Sequence, residues 1–304
     1  MINWANPYTL DGAFWLKGNL HTHSAPESPC GLVQLDRVLE LYEKAEFDFL
    51  SISNHQQFTP VTIPTELLLI PGIEWNSRNG NQDKRVVNYE DHLGVYSLDS
   101  ELLIATVEHE RQPDVLEFLT NKDALVIANH PNWLVPQHYS EEHLFGLYDS
   151  IDGIEVYNAV IERHPGAPDA TMKWDRLLTD KGPLLGFASD DSHLEGDIGK
   201  GYLMVNVHEV TIEAILKSIS SGHFYCSTGV EISMIGRDQN EIYCVTGDNV
   251  TIDVIGENGQ LFASSERDIS IQMEDMPSKY IRFVLYGPSK QQAWSQPFYR
   301  SPNN

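Results

Sequence analysis

Short β-prone runs in the first three quarters of this chain end, one after another, in a histidine, a glutamate or an aspartate. Strands are expected near 14–20, 49–53, 67–73, 93–97, 125–128, 154–157, 184–188 and 202–207. Between the first two, Leu35, Val38, Leu39 and Tyr42 recur at helical spacing, and similar patterns fall at 115–119, 144–147, 172–178 and 212–219. Strands alternating with helices at this length favour an α/β architecture, either a parallel sheet closed into a barrel or an open doubly wound sheet. In both, the carboxyl ends of the strands form the active face.

The residues at those ends are metal-competent. The first strand runs into NLHTHS, where His21 and His23 project to one side because side chains at i and i+2 share a face of an extended segment. SISNH ends in His55, PGIEW supplies Glu74, and ANHPNW supplies His130. GIEVYN gives Glu155 and Asn158, and FASDDSH gives Asp190, Asp191 and His193. His92 precedes its apolar run, and it reaches the same edge only if that strand runs antiparallel to the one before it. His109, His138, His143, His164, His208 and His223 bear no common relation to strand ends and are expected to be structural or exposed.

After Ser227 the pattern changes. ISMIG, IYCVT, VTIDVIG, ISIQM and YIRFVLYG alternate apolar with polar residues, and turns at RDQN, GDN and GENG separate them. The chain therefore divides into an α/β domain, 1–227, and a small antiparallel β module, 228–304, with no metal-competent cluster of its own. The formal net charge of −24 opposes long polyanions, so nucleic acid is not an expected partner. No apolar run reaches membrane-spanning length, and the start lacks the basic and apolar regions of a signal peptide. Cys30, Cys226 and Cys244 lie far apart, which fits a reducing, cytoplasmic setting. No glycine-rich nucleotide cradle, GxSxG elbow or Cys–His signature is present.

The ordered series LHTHS, FDFLSISNH, PGIEW, DHLGVY, ANHPNW, GIEVYN and ASDDSH resembles the PHP family, the polymerase and histidinol phosphatase superfamily of metal-dependent phosphoesterases, over about residues 14–227. ASDDSH and the closing AWSQPFY look most like the subgroup that carries a C-terminal β module and includes carbaryl-type hydrolases. The resemblance implies a distorted seven-stranded β/α barrel holding two or three divalent ions, commonly zinc, manganese or iron. Carried over by motif, His21, His23, Glu74 and Asp191 would form one metal position, with Glu74 bridging to a second completed by His92 and His130. His55 and His193 would serve a further position, and Glu74, Asp191 and His193 would be the catalytic set. Family spacing favours Asp191 as the ligand, with Asp190 a supporting partner or the ligand in another alignment. Two departures stand out: APESPCG offers only Glu27, Ser28 and Cys30 where members have an Asp before Gly, and SNH places Asn54 where members read TDH.

Imidazoles and carboxylates suit zinc, manganese or iron. Two such ions share a water, lower its pKa and neutralise charge developing at phosphorus, so water is the expected nucleophile. Arg78, Arg163 and Lys200 are candidates to grip a phosphate, with Lys84 and Arg85 behind them, and Trp75 and Trp133 can either stack on a flat substrate or pack in the core. The leading expectation is hydrolysis of a small phosphate monoester or diester. The alternatives are a carbamate or carboxylic ester hydrolase, and a metal- or ligand-binding protein with little turnover.

Overall fold

Each β run expected before Ser227 contains a strand in the computed structural model, which describes residues 4–8, 14–78, 91–134 and 139–300. The strands are Phe14–Asn19, Phe49–Leu50, Leu68–Leu69, Gly72–Trp75, Leu93–Tyr96, Leu125–Ala128, Gly153–Asn158, Leu185–Ser189 and Tyr202–Val207. The run expected at 67–73 divides because Pro71 has no N–H to give to a ladder. Helices Leu35–Lys44, Gln112–Leu119, Glu141–Leu147, Thr171–Asp180 and Ile212–Ser220 occupy the places their spacing indicates. Val38, Leu39 and Tyr42 form the buried face of the first, each aliphatic side chain contributing about 1.5–3 kcal/mol. A further helix, Ser100–Thr106, is nucleated by the Asp99 carboxylate, which accepts from the N–H groups of Glu101 and Leu102. Among the described residues no helix is long and apolar enough to cross a membrane.

The sheets are mixed, which corrects the expectation of a parallel sheet. One runs Gly72–Trp75, Leu93–Tyr96, Leu125–Ala128, Gly153–Asn158, Leu185–Ser189. Its second strand is antiparallel to both neighbours, and the remaining pairs are parallel. That reversal brings the start of the Leu93–Tyr96 strand, with His92 just before it, to the edge where the others end. In the other sheet Leu68–Leu69, Phe49–Leu50 and Phe14–Asn19 are parallel neighbours, and Tyr202–Val207 lies antiparallel to Phe14–Asn19. Isolated parallel bridges, Thr22 to Ser192 and His55 to Glu74, tie the carboxyl ends of the two sheets together.

The C-terminal strands continue this second sheet. Phe224–Ser227 lies antiparallel between Tyr202–Val207 and Gln292–Ser295, and Tyr280–Tyr286, Thr251–Gly256 and Gln260–Glu266 extend the ladder. Ile232–Asp238, Glu241–Thr246 and Asp268–Gln272 form a separate three-stranded sheet. Arg282 anchors the module: its Nε and Nη2 donate to the two Asp175 oxygens at 2.8 and 2.6 Å. Tyr280 donates to the same carboxylate at 2.9 Å, and the guanidinium lies over the Trp174 ring at 5.1 Å. All four residues are buried.

Candidate metal centre

The ends of these strands bring imidazoles around one carboxylate. Glu74 Oε1 lies 3.2 Å from His21 Nε2, 3.0 Å from His92 Nδ1 and 3.0 Å from His130 Nε2. Its Oε2 lies 3.2 Å from His23 Nε2 and 3.1 Å from His55 Nδ1. Asp191 Oδ1 completes a triangle with His21 Nε2 at 3.2 Å and His23 Nε2 at 3.1 Å, and the two imidazole nitrogens are 3.2 Å apart. All these side chains are buried, and every one comes from residues 21–191.

The donor set fits divalent cations. Two ligands bound to one ion at about 2.1 Å with angles of 90–109° stand about 3.0–3.4 Å apart, which is the spacing of these contacts. Asp191 Oδ1 and His55 Nδ1 are buried without a hydrogen bond although His23 Nε2 lies 3.1 Å from the first and Glu74 Oε2 3.1 Å from the second, the arrangement of converging donor atoms. His130 and Asp191 are held at φ of 33° and 49°, a left-handed backbone that non-glycine residues adopt at a cost and that collects at functional sites.

A surrounding layer fixes the ring orientations. Glu155 Oε1 accepts from His21 Nδ1 at 2.8 Å and from Ser189 Oγ at 2.5 Å, while Oε2 accepts from the His130 N–H at 2.6 Å and Asn158 Nδ2 at 2.9 Å. With its Nδ1 proton committed to Glu155, His21 would turn its Nε2 lone pair to a cation held between Glu74 and Asp191. Asn158 also donates to Asp191 Oδ2 at 3.2 Å, Asn129 donates to Glu74 Oε1 at 2.9 Å, and Ser28 Oγ meets His23 Nδ1 at 3.2 Å. Sequence reasoning places Glu155 and Asn158 at a strand end but outside the ligand set, and passes over Asn129. Adjacency to a ligand, in ANHP and in SDD, was the available signal.

The electrostatics follow from burial among opposite charges. Burial would raise the Glu74 and Asp191 carboxyls, but the imidazoles of His21, His55 and His92 around the first, and of His21 and His193 around the second, hold both well below the usual range. Burial would lower His21, yet Asp191, Glu74 and Glu155 raise it well above the ordinary histidine value. Burial dominates at His193, pushed down to about 4 with the His23 ring adding to the effect.

Asp190 has a different task. Its oxygens accept from the N–H groups of Gly199, Lys200 and Gly201 at 2.7–2.8 Å and from Tyr42 at 2.9 Å, so it ties the strand end to the following loop. Asn54, in the SNH position, likewise accepts from the Ser24 N–H and donates to Ser24 Oγ and Thr59 Oγ1. His193 lies at the rim, its ring 4.5 Å from that of His23 and its Nδ1 donating to the Asp191 carbonyl at 2.7 Å.

The basic candidates separate. Arg163 forks onto Asp197 at 3.0 and 2.8 Å, and Asp197 in turn accepts from the His193 N–H at 3.0 Å, which sets Arg163 beside the rim. Arg78 is buried and turned to the Glu108 carbonyl at 2.9 Å, with Glu110 at 3.6 Å, so it stabilises that segment instead of presenting a free guanidinium. The Lys200 side chain is exposed, and its N–H serves Asp190. Trp75 is core, donating to the His109 carbonyl at 3.0 Å. Trp133 is partly exposed beside His130, ring centroids 5.1 Å apart, and stacks on His164 at 5.1 Å. His164 thus borders the centre, while His109 packs on Phe118. Lys84, Arg85 and His138 lie outside the described residues.

No family model matches the chain, and no curated protein matches it. Among solved structures it is similar to a two-domain protein from Bacteroides vulgatus described as containing a predicted PHP-like metal-dependent phosphoesterase. The identity is 18%, 96% of each chain is covered and the TM-score is 0.50. A lesion-specific endonuclease from Pyrococcus furiosus matches at 15% identity over 68% of this chain and 56% of its own, with a TM-score of 0.47. The Bacteroides likeness spans both the α/β part and the C-terminal strands, and it is a likeness of fold.

Proposed function

We propose that this chain is a PHP-like metal-dependent hydrolase and, within that class, a phosphoesterase acting on small phosphate monoesters or diesters. The carrying observation is Glu74, one buried carboxylate contacted by five imidazoles, with Asp191 beside it. The shared fold with the Bacteroides protein supports the same reading. We infer further that the two sheets, joined by the Thr22–Ser192 and His55–Glu74 bridges, form a distorted barrel of seven strands, with 228–304 as a module that supplies no ligand.

His21, His23, Glu74 and Asp191 would hold one ion, Glu74 with His92 and His130 a second, and His55 with His193 a further one. Zinc, manganese or iron suit this donor set. Bound there, the ions supply Lewis acidity and lower the pKa of a shared water. The protein's own part is to hold the His21 imidazole in one tautomer through Glu155 and to orient the His23 ring through Ser28, to keep Glu74 and Asp191 ionised, and to offer Arg163 and Lys200 to the substrate's anionic oxygens. The net charge of −24 favours a small substrate over a long polyanion, and three free cysteines support a reducing compartment.

The Trp133–His164 stack favours a second reading, in which the leaving group is aromatic and the bond is a carbamate or carboxylic ester. Protein loaded with zinc, manganese or iron, assayed on aryl phosphates, bis-aryl phosphates, aryl esters and aryl carbamates, separates the two. Turnover on the phosphates alone supports the first, and turnover on the esters alone replaces it. Inactivity on all four with metal bound leaves a metal-binding protein.

A further inference from the structure

The donor atoms of His23, Cys30, His55 and His193 all lie within 4.8 Å of one another. His23 Nε2 already faces Glu74 and Asp191, which leaves Cys30, His55 and His193 as a group of three beside the Glu74 centre. His193 has its Nδ1 engaged by the Asp191 carbonyl at 2.7 Å, which leaves Nε2 as its donor, and His55, whose Nδ1 faces Glu74 at 3.1 Å without a hydrogen bond, has Nε2 as a second possible donor.

The loop carrying Cys30 is built to stay in place. The Ser28 N–H donates to the Ser24 carbonyl at 2.9 Å, the Ala25 N–H to Val33 at 2.8 Å, and the Leu32 N–H to the His193 carbonyl at 3.0 Å. The last bond locks the thiol's loop onto the segment that carries one of its partner ligands. Gly31 permits the close turn, because a Cβ there would meet the Ser24 backbone at 2.8 Å. Ser28 Oγ spans the two sites, 3.2 Å from His23 Nδ1 and 3.2 Å from Cys30 Sγ.

We propose that Cys30 supplies a thiolate ligand, with His55 and His193, to a separate cation position next to the Glu74 centre. The proposal rests on the metal-dependent reading above and sharpens it. One sulfur and two nitrogens select zinc or ferrous iron and disfavour manganese and magnesium, so the positions would differ in metal preference. Binding forms the metal–sulfur bond and releases the thiol proton to solvent.

The test is titration of the apo protein with cobalt(II). Cys226 and Cys244 are fully buried in apolar clusters, so a sulfur-to-cobalt charge-transfer band in the near ultraviolet reports Cys30. We expect the band in the parent, its loss together with one metal equivalent in Cys30→Ser, and return of the equivalent without the band in Cys30→Asp. Protection of Cys30, the one partly exposed thiol of the three, from alkylation by zinc, but not by manganese, checks the same point in the parent and is independent of variant folding. Cobalt bound with no sulfur band, or equal alkylation with and without zinc, overturns the proposal and leaves the Glu74 centre standing. A protein that binds no cobalt at any equivalent overturns both.

Discussion

Glu155 is buried and touches no proposed cation position except through the rings it orients, so Glu155→Gln isolates the work of the supporting layer. Four donors converge on its carboxylate: His21 Nδ1, Ser189 Oγ, the His130 N–H and Asn158 Nδ2. The glutamine NH2 must replace one oxygen and therefore meets one of two donor pairs. Facing His130, it leaves a backbone N–H that cannot reverse, at about 1–3 kcal/mol, and Asn158 must give up Asp191 to compensate. Facing His21 and Ser189, it meets groups that can adapt: the hydroxyl rotates and His21 moves its proton to Nε2. The second arrangement is the less costly, but it puts a proton on Nε2, where a cation would need the lone pair. Metal affinity should then fall by about 10–100-fold, or about 1.4–2.8 kcal/mol, with the fold retained. Competition against a chromophoric zinc chelator, with thermal unfolding of the apo protein alongside, measures both quantities. Unchanged zinc affinity in a folded variant would refute the claim that Glu155 sets the His21 tautomer.

Glu74→Gln should stay folded, lose at least one metal equivalent and lose hydrolysis by several orders of magnitude, whereas His109→Gln leaves both nearly unchanged; elemental analysis and turnover decide. Arg282→Met leaves the Asp175 carboxylate buried with Tyr280 as its one remaining side-chain partner among the described residues, and should destabilise by about 3–5 kcal/mol in urea without altering metal stoichiometry. Arg163→Gln should weaken inorganic phosphate inhibition by about tenfold while metal content holds, because its fork on Asp197 lies beside the rim and outside the ligand set. Trp133→Ala should raise KM for aryl substrates more than for alkyl ones; equal effects would show that the ring only packs.

The strand-end positions were legible because period-two alternation and β-branched runs fix where a strand stops, and a polar residue there must face the open end of a sheet. His92 was legible only conditionally, since spacing does not carry strand direction. The Asp190–Asp191 choice needed coordinates: both precede His193, and the backbone turn gives Asp190 three N–H donors while it sets Asp191 against the imidazoles of His21 and His23. Arg78 misled for a related reason. A guanidinium after a metal-competent strand end reads as substrate-facing, yet the chain turns it onto the Glu108 carbonyl and the Glu110 carboxylate, about thirty residues away in sequence. Pairing between the module and the α/β part was also hidden, because alternation shows that a strand has two faces but not which neighbour it will find.

That shared ladder bears on how the chain can be dissected. Phe224–Ser227 finds hydrogen-bond partners on both sides, the outer one being Gln292–Ser295. A fragment ending at Ser227 would carry an uncovered row of backbone donors and acceptors along a buried, apolar strand, a template for edge-to-edge aggregation. It would also keep Asp175 without its guanidinium. The C-terminal strands therefore act as a built-in solubility cap for the half that carries the Glu74 cluster, and swapping this half alone into another protein should fail unless its cap travels with it.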